Sequence, residues 1–381
     1  YILCVFEATL LVRKPEMIGY GFVIYELSKL AIAFTLIKWL NLGLLVAIGA
    51  SLASYLIQLL FYLKPLAKEF SESLEWSYVK EWVKASPIIL YDVVGRRVAD
   101  LTLILLFVYG GPLALAYYGA AQTIAIIIGH ADSLASALYP RLLVDSNSED
   151  VSTSLRMVLM FAIPMTVGIM VLSDSYLTML KFAYAEARPV LIILAITYLC
   201  TVLCSVFGSV VLGTEKLEAE ARISLRELLR SKLFLIFTLP YLQSTITLPL
   251  ALIMLRSDGK TPLMSAIFVA LIDLLATVAI LVIRYAIARK SLAFKFPWRS
   301  TVKYILASTV MTSVLMVVPH PTKLLQTMAL TLLGVGTYFA TLIPIDGETQ
   351  TLIRLVLREI RMALHALAKR KSGKEDHTRK F

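Results

Sequence analysis

The sequence predicts an all-α, polytopic membrane helix bundle, with about ten full transmembrane helices preceded by a helix fragment. Three observations carry this. Hydrophobic residues make up 59% of the 381, the mean hydropathy is +0.79, and charged residues are only 17%. A soluble domain has about 25% charged and roughly 45–50% apolar residues. Apolar stretches of the ~20 residues needed to cross a bilayer recur along the chain. None shows the alternating pattern, in runs of about ten, that marks a membrane β-barrel strand.

Taken in order, a helix fragment is expected over 1–12, then helices over 17–39 and 42–63. Segment 64–86 mixes four lysines with four glutamates around Trp76, Tyr78 and Trp82, which suits an amphipathic piece at the membrane surface. Helices 87–109 and 112–139 follow, joined at Gly110-Gly111-Pro112. A polar loop covers 142–154, helix 157–172 comes next, and a loop of 16 residues, 173–188, leads to helix 189–212. The charged segment 214–231 has a helical pattern. Helices 232–255, 263–287, 303–318 and 324–345 complete the spans. Arg354, Arg358 and Arg361 then share one face of an amphipathic basic helix, and the last residues are polar enough to be disordered. Pro164, Pro240 and Pro249 fall inside helices and should bend them.

The formal net charge of +11 raises nucleic acid as a partner. The placement of the charge argues against it. Of 37 Lys and Arg, 28 fall on one set of alternate loops and six on the other. Arg284 is counted here with the loop 284–303. Such bias is the positive-inside pattern and puts the C-terminal tail in the cytoplasm. The expected location is therefore the cell membrane, multi-pass, with membrane lipids around a monomer. Cys4, Cys200 and Cys204 form no CxxC and no Cys/His cluster, so no disulfide, metal or cofactor is expected. Few Asn residues weakly suggest a heat-adapted source.

The chain begins at Tyr1 within an apolar stretch, which reads as a truncated start. Phe6–Leu30 and Phe207–Leu233 share a Phe, a polar loop, then Glu-Leu and Lys-Leu, at an offset of 201 to 203 residues. This weak repeat fits six helices per half in a parallel arrangement and predicts three further helices upstream.

The stretch 87–141 concentrates the chemistry. Asp92, Arg96 and Asp100 lie at i, i+4 and i+8 on one helix face, and Arg97 reaches Asp100 at i+3. Charges at bilayer depth are costly and persist only where they pair or serve a function. Arginine suits phosphate, because its planar fork makes two parallel charge-assisted bonds. The competing reading is a self-neutralising set of two acids and two bases that only pins helices. His130, on the next helix, is expected at a depth similar to that of the arginines, as a cavity residue or a structural histidine. Asp132 should face another helix or the cytoplasmic opening. Asp273, an unpaired carboxylate in mid-helix, is the candidate ion or proton site. Glu26 and Lys29 read as a structural pair, and Cys200 and Cys204 as packing.

Tyr117-Tyr118-Gly119-Ala120-Ala121-Gln122, Leu138-Tyr139-Pro140-Arg141-Leu142, Tyr184-Ala185-Glu186-Ala187 and Leu212-Gly213-Thr214-Glu215-Lys216 follow one another after the mid-helix Asp100. In this order they resemble the polysaccharide-flippase branch of the multidrug/oligosaccharidyl-lipid/polysaccharide exporter superfamily. The resemblance implies a MATE-like architecture of two six-helix lobes with two extra C-terminal helices. Residues 1–63 would be the remnant of the N-terminal lobe, 64–86 a cytoplasmic inter-lobe segment and 87–287 the C-terminal lobe. Residues 288–345 would hold the extra pair, and 346–381 a cytoplasmic tail. It also implies transport of a lipid-linked oligosaccharide by alternating access, coupled to Na+ or H+, with the substrate in a cavity between the lobes. Alternatives are an ion-coupled multidrug exporter, which the Arg96–Arg97 pair disfavours, and a membrane-embedded glycan polymerase or ligase, which the short outer loops disfavour. No GxSxG, Walker A or His/carboxylate set suggests an enzyme.

Overall fold

The computed structural model describes residues 2–14, 16–40, 44–67, 76–135, 138–144, 147–214, 231–257, 259–319, 321–347 and 349–350. Among them it is all-helical, with twelve α-helices and no strand. Nine of these helices are long and apolar enough to cross a membrane. The protein is a polytopic helical membrane bundle. The expected charged segment 214–231 lies almost wholly outside the described residues, and so does the basic helix expected after residue 350.

The chain divides into two units, Tyr1–Pro87 and Ile88–Phe381. The first contains α1 (Ile2–Arg13), α2 (Glu16–Leu40) and α3 (Leu44–Leu66). Its core is Leu10, Tyr62 and Leu66. Tyr62 is fully buried because Gly21 makes room for it: a Cβ at position 21 would stand 2.1 Å from the Tyr62 hydroxyl. The first limb of α4 (Trp76–Gly129) then starts at Trp76. The expected start at Pro87 is not seen, since the preceding Trp, Lys, Glu and Ala residues all tolerate a helix.

The 46-residue, largely apolar stretch Leu90–Ala135 would measure about 69 Å as one straight helix, twice what a core of about 30 Å needs. The chain breaks at Gly111, whose φ of 81° and ψ of 174° lie where only glycine sits without strain. Gly110 meets Ser265, Tyr91 meets Tyr241, and Tyr118 meets Asp273. These contacts place the two limbs of α4 side by side and reversed, as the Gly-Gly-Pro signal predicts.

In the second unit the α-helix of the second limb stops at Gly129, not at 139. A 3₁₀ turn (His130–Ala135) and α5 (Leu138–Val144) follow. Helix α6 (Ser148–Val171) begins nine residues before its expected start at 157. Asn147 caps it by accepting from the Glu149 N–H, and Glu149 and Asp150 complement the helix dipole. The expected loop 173–188 is itself helical: α7 (Ser173–Leu180) and a 3₁₀ turn (Phe182–Ala187), held by an Asp174–Arg188 pair at 2.9 Å. Helix α8 (Arg188–Thr214) is the centre of the unit, with thirteen buried residues. It packs on α6, α5 and most extensively on α10 (Pro262–Ser291), which α9 (Lys232–Arg256) precedes. Pro240 and Pro249 lie inside α9, and Pro164 inside α6.

Helices α11 (Trp298–Val317) and α12 (Leu324–Ile345) pack on each other and on α6 through Tyr304, Met311, Leu315 and Tyr338. The Tyr338 hydroxyl donates to the Met160 carbonyl at 2.7 Å. The short motifs meet in space. Tyr117 donates to Glu186 at 2.6 Å. Gly213 lets α5 approach, since its Cβ would lie 2.7 Å from the Leu142 Cβ and 3.1 Å from the Tyr139 carbonyl.

Candidate functional site

The first limb of α4 carries two ion pairs. Arg96 donates through Nε to Asp92 at 2.9 Å, and Arg97 through Nη1 to Asp100 at 3.1 Å. Asp100, expected on the face of Asp92 and Arg96, pairs with Arg97, so the four charges form two couples. Asp92 is nearly buried at 12% side-chain exposure, while Arg96 and Arg97 are 70% and 79% exposed. Both guanidinium groups sit within a candidate span. A cation at that depth faces protein or water and not acyl chains.

A third arginine joins this face. Arg284, grouped with the loop 284–303 in the charge count although the expected helix 263–287 reaches past it, lies inside α10, seven residues before its end. Its Nη1 donates to the Cys204 carbonyl at 2.9 Å, and it interacts electrostatically with both Asp92 and Arg96. Gly208 gives it room: a Cβ there would be 3.0 Å from Nη1. The Arg284 Nε is buried and has no hydrogen-bond partner among the described residues. Sequence reading missed this residue because the apolar run before it is already long enough to cross a bilayer. With Arg284 the cluster is no longer neutral: three arginines face two aspartates.

Nearby on α8, Ser205 donates to Asp132 at 2.7 Å, so Asp132 does face another helix. His130 opens the 3₁₀ turn and is exposed. Counted from Gly111 it is four residues farther along its limb than Arg96 is along the other, or about 6 Å. Cys204 is buried against the Thr277 carbonyl.

Asp273 sits closer to the Gly111 end of the bundle. Gln243 of α9 donates to its Oδ1 at 3.4 Å, and buried Tyr118 lies beside it from the second limb of α4. Tyr198 and Gln122 form an adjoining polar pair. No cation pairs with Asp273 among the described residues. A carboxylate held by neutral donors is chemically suited to take up a proton or a small cation.

The first unit has its own polar cluster. Gln58 donates to Glu7 at 3.3 Å and to the Tyr62 hydroxyl at 3.1 Å. Glu7 and Gln58 border a cavity of about 1000 Å³, where Tyr25 and Tyr55 stack at 4.5 Å. Lys29 pairs with Glu26 at 2.7 Å and lies over the Tyr25 ring. Glu7, the sole acid of the first twelve residues, was the available sequence signal. No group of His, Cys, Asp and Glu among the described residues is arranged to hold a metal.

In comparisons with protein-family models and with curated proteins, none matches this chain.

Proposed function

We propose that this membrane protein flips lipid-linked oligosaccharides, carried on a polyprenyl phosphate or diphosphate, across the cell membrane by alternating access. In this reading, which rests on the resemblance stated above, it acts as a polysaccharide-type flippase in service of cell-surface polysaccharide or glycoprotein synthesis. The observation that carries this reading is the local excess of cation where Arg284 joins the Asp92–Arg96 pair. Arg284 adds a third guanidinium beside Asp92 and Arg96, with its Nε buried and without a hydrogen-bond partner among the described residues. A set built only to pin helices has no need of uncompensated positive charge, whose burial is costly. A phosphate group would supply both the missing charge and the missing acceptor. In this reading Arg96, Arg97 and Arg284 contact the phosphate, Asp92 and Asp100 orient the first two, His130 lies along the entry route, and Asp273 couples transport to Na+ or H+. Specificity then rests on binding, and the lipid tail stays in the bilayer.

The Asp273 site favours one second reading, an ion-coupled multidrug exporter. Reconstituted flipping of a fluorescent polyprenyl-diphosphate sugar separates the two. The Arg96→Ala/Arg97→Ala variant is expected to fold and to lose flipping, and Asp273→Asn to lose dependence on the ion gradient. Equal flipping by the double variant and wild type would return the arginines to a structural role. Drug export without sugar flipping would select the second reading.

A further inference from the structure

A second cationic site lies at the end of the bundle where the positive charge collects. Three spans end around it: α6 begins at Ser148, α11 begins at Trp298, and α12 ends at Ile345. Between them is a cavity of about 640 Å³ lined by Ser152, Arg156, Lys295, Arg299, Lys303 and Asp346. The cations come from three segments, so their convergence is a product of the fold and not of one basic run. Arg156 is fixed on α6 by its own turn, donating to the Ser152 carbonyl at 3.3 Å and the Thr153 hydroxyl at 3.2 Å. Ser152 in turn donates to the Lys295 carbonyl at 2.9 Å, tying the linker after α10 to the start of α6. Lys303 pairs with buried Asp346 at 2.9 Å. That pair is neutral. Lys295 and Arg299 then leave two positive charges around the cavity beside Arg156, and among the described residues neither of the two has an ion-pair partner.

The depth of the cavity identifies the kind of anion. A site where three spans end lies at headgroup level. Trp298, 69% exposed and 4.6 Å from the Phe296 ring, stands beside it, as interfacial aromatic residues do. We propose that this cavity binds the phosphate of an anionic phospholipid headgroup from the surrounding leaflet. Its place is distinct from the Arg96–Arg284 cluster, and the inference stands whether or not the chain flips sugars. Basic pockets between transmembrane helices at the membrane surface are suited to such headgroups.

The test uses the purified 381-residue chain in neutral detergent, with three probes: dioleoyl phosphatidylglycerol, dioleoyl phosphatidylcholine and inorganic phosphate. Native mass spectrometry reads retained lipid and thermal unfolding reads stabilisation. Wild type should retain phosphatidylglycerol in preference to phosphatidylcholine and unfold at a higher temperature with it. Lys295→Gln/Arg299→Gln removes two exposed cations on which no described ion pair depends, so the fold should survive. This variant should bind phosphatidylglycerol about tenfold or more weakly. Arg256→Gln/Lys260→Gln removes the same charge at the opposite end and should leave retention unchanged. Equal retention of both lipids by wild type, or equal loss in both double variants, would overturn the site. Stabilisation by inorganic phosphate alone would keep the phosphate chemistry and overturn the lipid as its source.

Discussion

At the scale of single residues, charged side chains within the spans are few, and their partners decide what they can do. Arg284 shows what that implies. It donates to the Cys204 carbonyl, and its second donor, Nε, is buried without an acceptor among the described residues. A charge-assisted bond made only with substrate is worth about 1.5–3 kcal/mol. Arg284→Gln is therefore expected to slow flipping at least tenfold, with Arg284→Lys intermediate because it keeps the charge and loses the fork. Initial flipping rates at matched protein levels check this. Arg284→Gln flipping at the wild-type rate would leave the arginine with a structural role. Gly208→Val should resemble Arg284→Gln, since its side chain would occupy space taken by Nη1. The pairs on α4 were legible in the sequence because i+3 and i+4 spacing alone brings their groups together. Arg284 was not, because it comes near Asp92 only through the packing of α4, α8 and α10, which no local spacing encodes.

At the scale of elements, most spans were legible to within a few residues, since an apolar run of bilayer length needs no tertiary information. The misses were at polar ends. The starts of α4 and α6 and all of α7 are helical though their residues are charged, because caps and ion pairs such as Asn147 and Asp174–Arg188 satisfy them. The reversal within α4 depends on Gly111, and alanine there should cost about 1–3 kcal/mol. Gly119→Ala, in a helical position with open space around it, should be neutral or stabilising by up to about 1 kcal/mol. Thermal unfolding of the two variants in detergent should thus move in opposite directions. Docking of α11 and α12 invites a second test. Tyr338→Phe removes the bond to the Met160 carbonyl and should cost about 1 kcal/mol. At the end of α12, burial works against the Asp346 charge, but the Thr349 hydroxyl and N–H together with the Lys303 ammonium outweigh it and hold the carboxyl below its usual range. A lowered value means that the group stabilises the fold above about pH 4 and loses that contribution as pH falls through the folded value. Asp346→Asn should therefore be less stable than wild type at neutral pH, with the difference closing in acid. A gap that persists unchanged at low pH would refute this role.

At the scale of the whole molecule, the strongest quantity in the sequence is the asymmetry of charge: 28 Lys and Arg on one set of loops against six on the other. Moving Arg284 into α10 lowers the first number by one and leaves the bias intact. The bias predicts a side for each loop, because Lys and Arg near span ends resist translocation. Lys295 and Lys323 lie outside the spans on opposite sides of α11 in the chain, one before Trp298 and one after Val317. A single crossing separates them, so they must lie on opposite faces of the membrane, and both are exposed. Cysteine placed at either position, in a chain with Cys4, Cys200 and Cys204 replaced, reports its side directly. In right-side-out vesicles a membrane-impermeant maleimide should label Lys323→Cys at once and Lys295→Cys only after permeabilisation. Labelling in the reverse order would invert the orientation and place the phosphate-binding cavity proposed beside Lys295 in the outer leaflet. Labelling of both from one side would mean that α11 does not cross, despite its 20 apolar-rich residues.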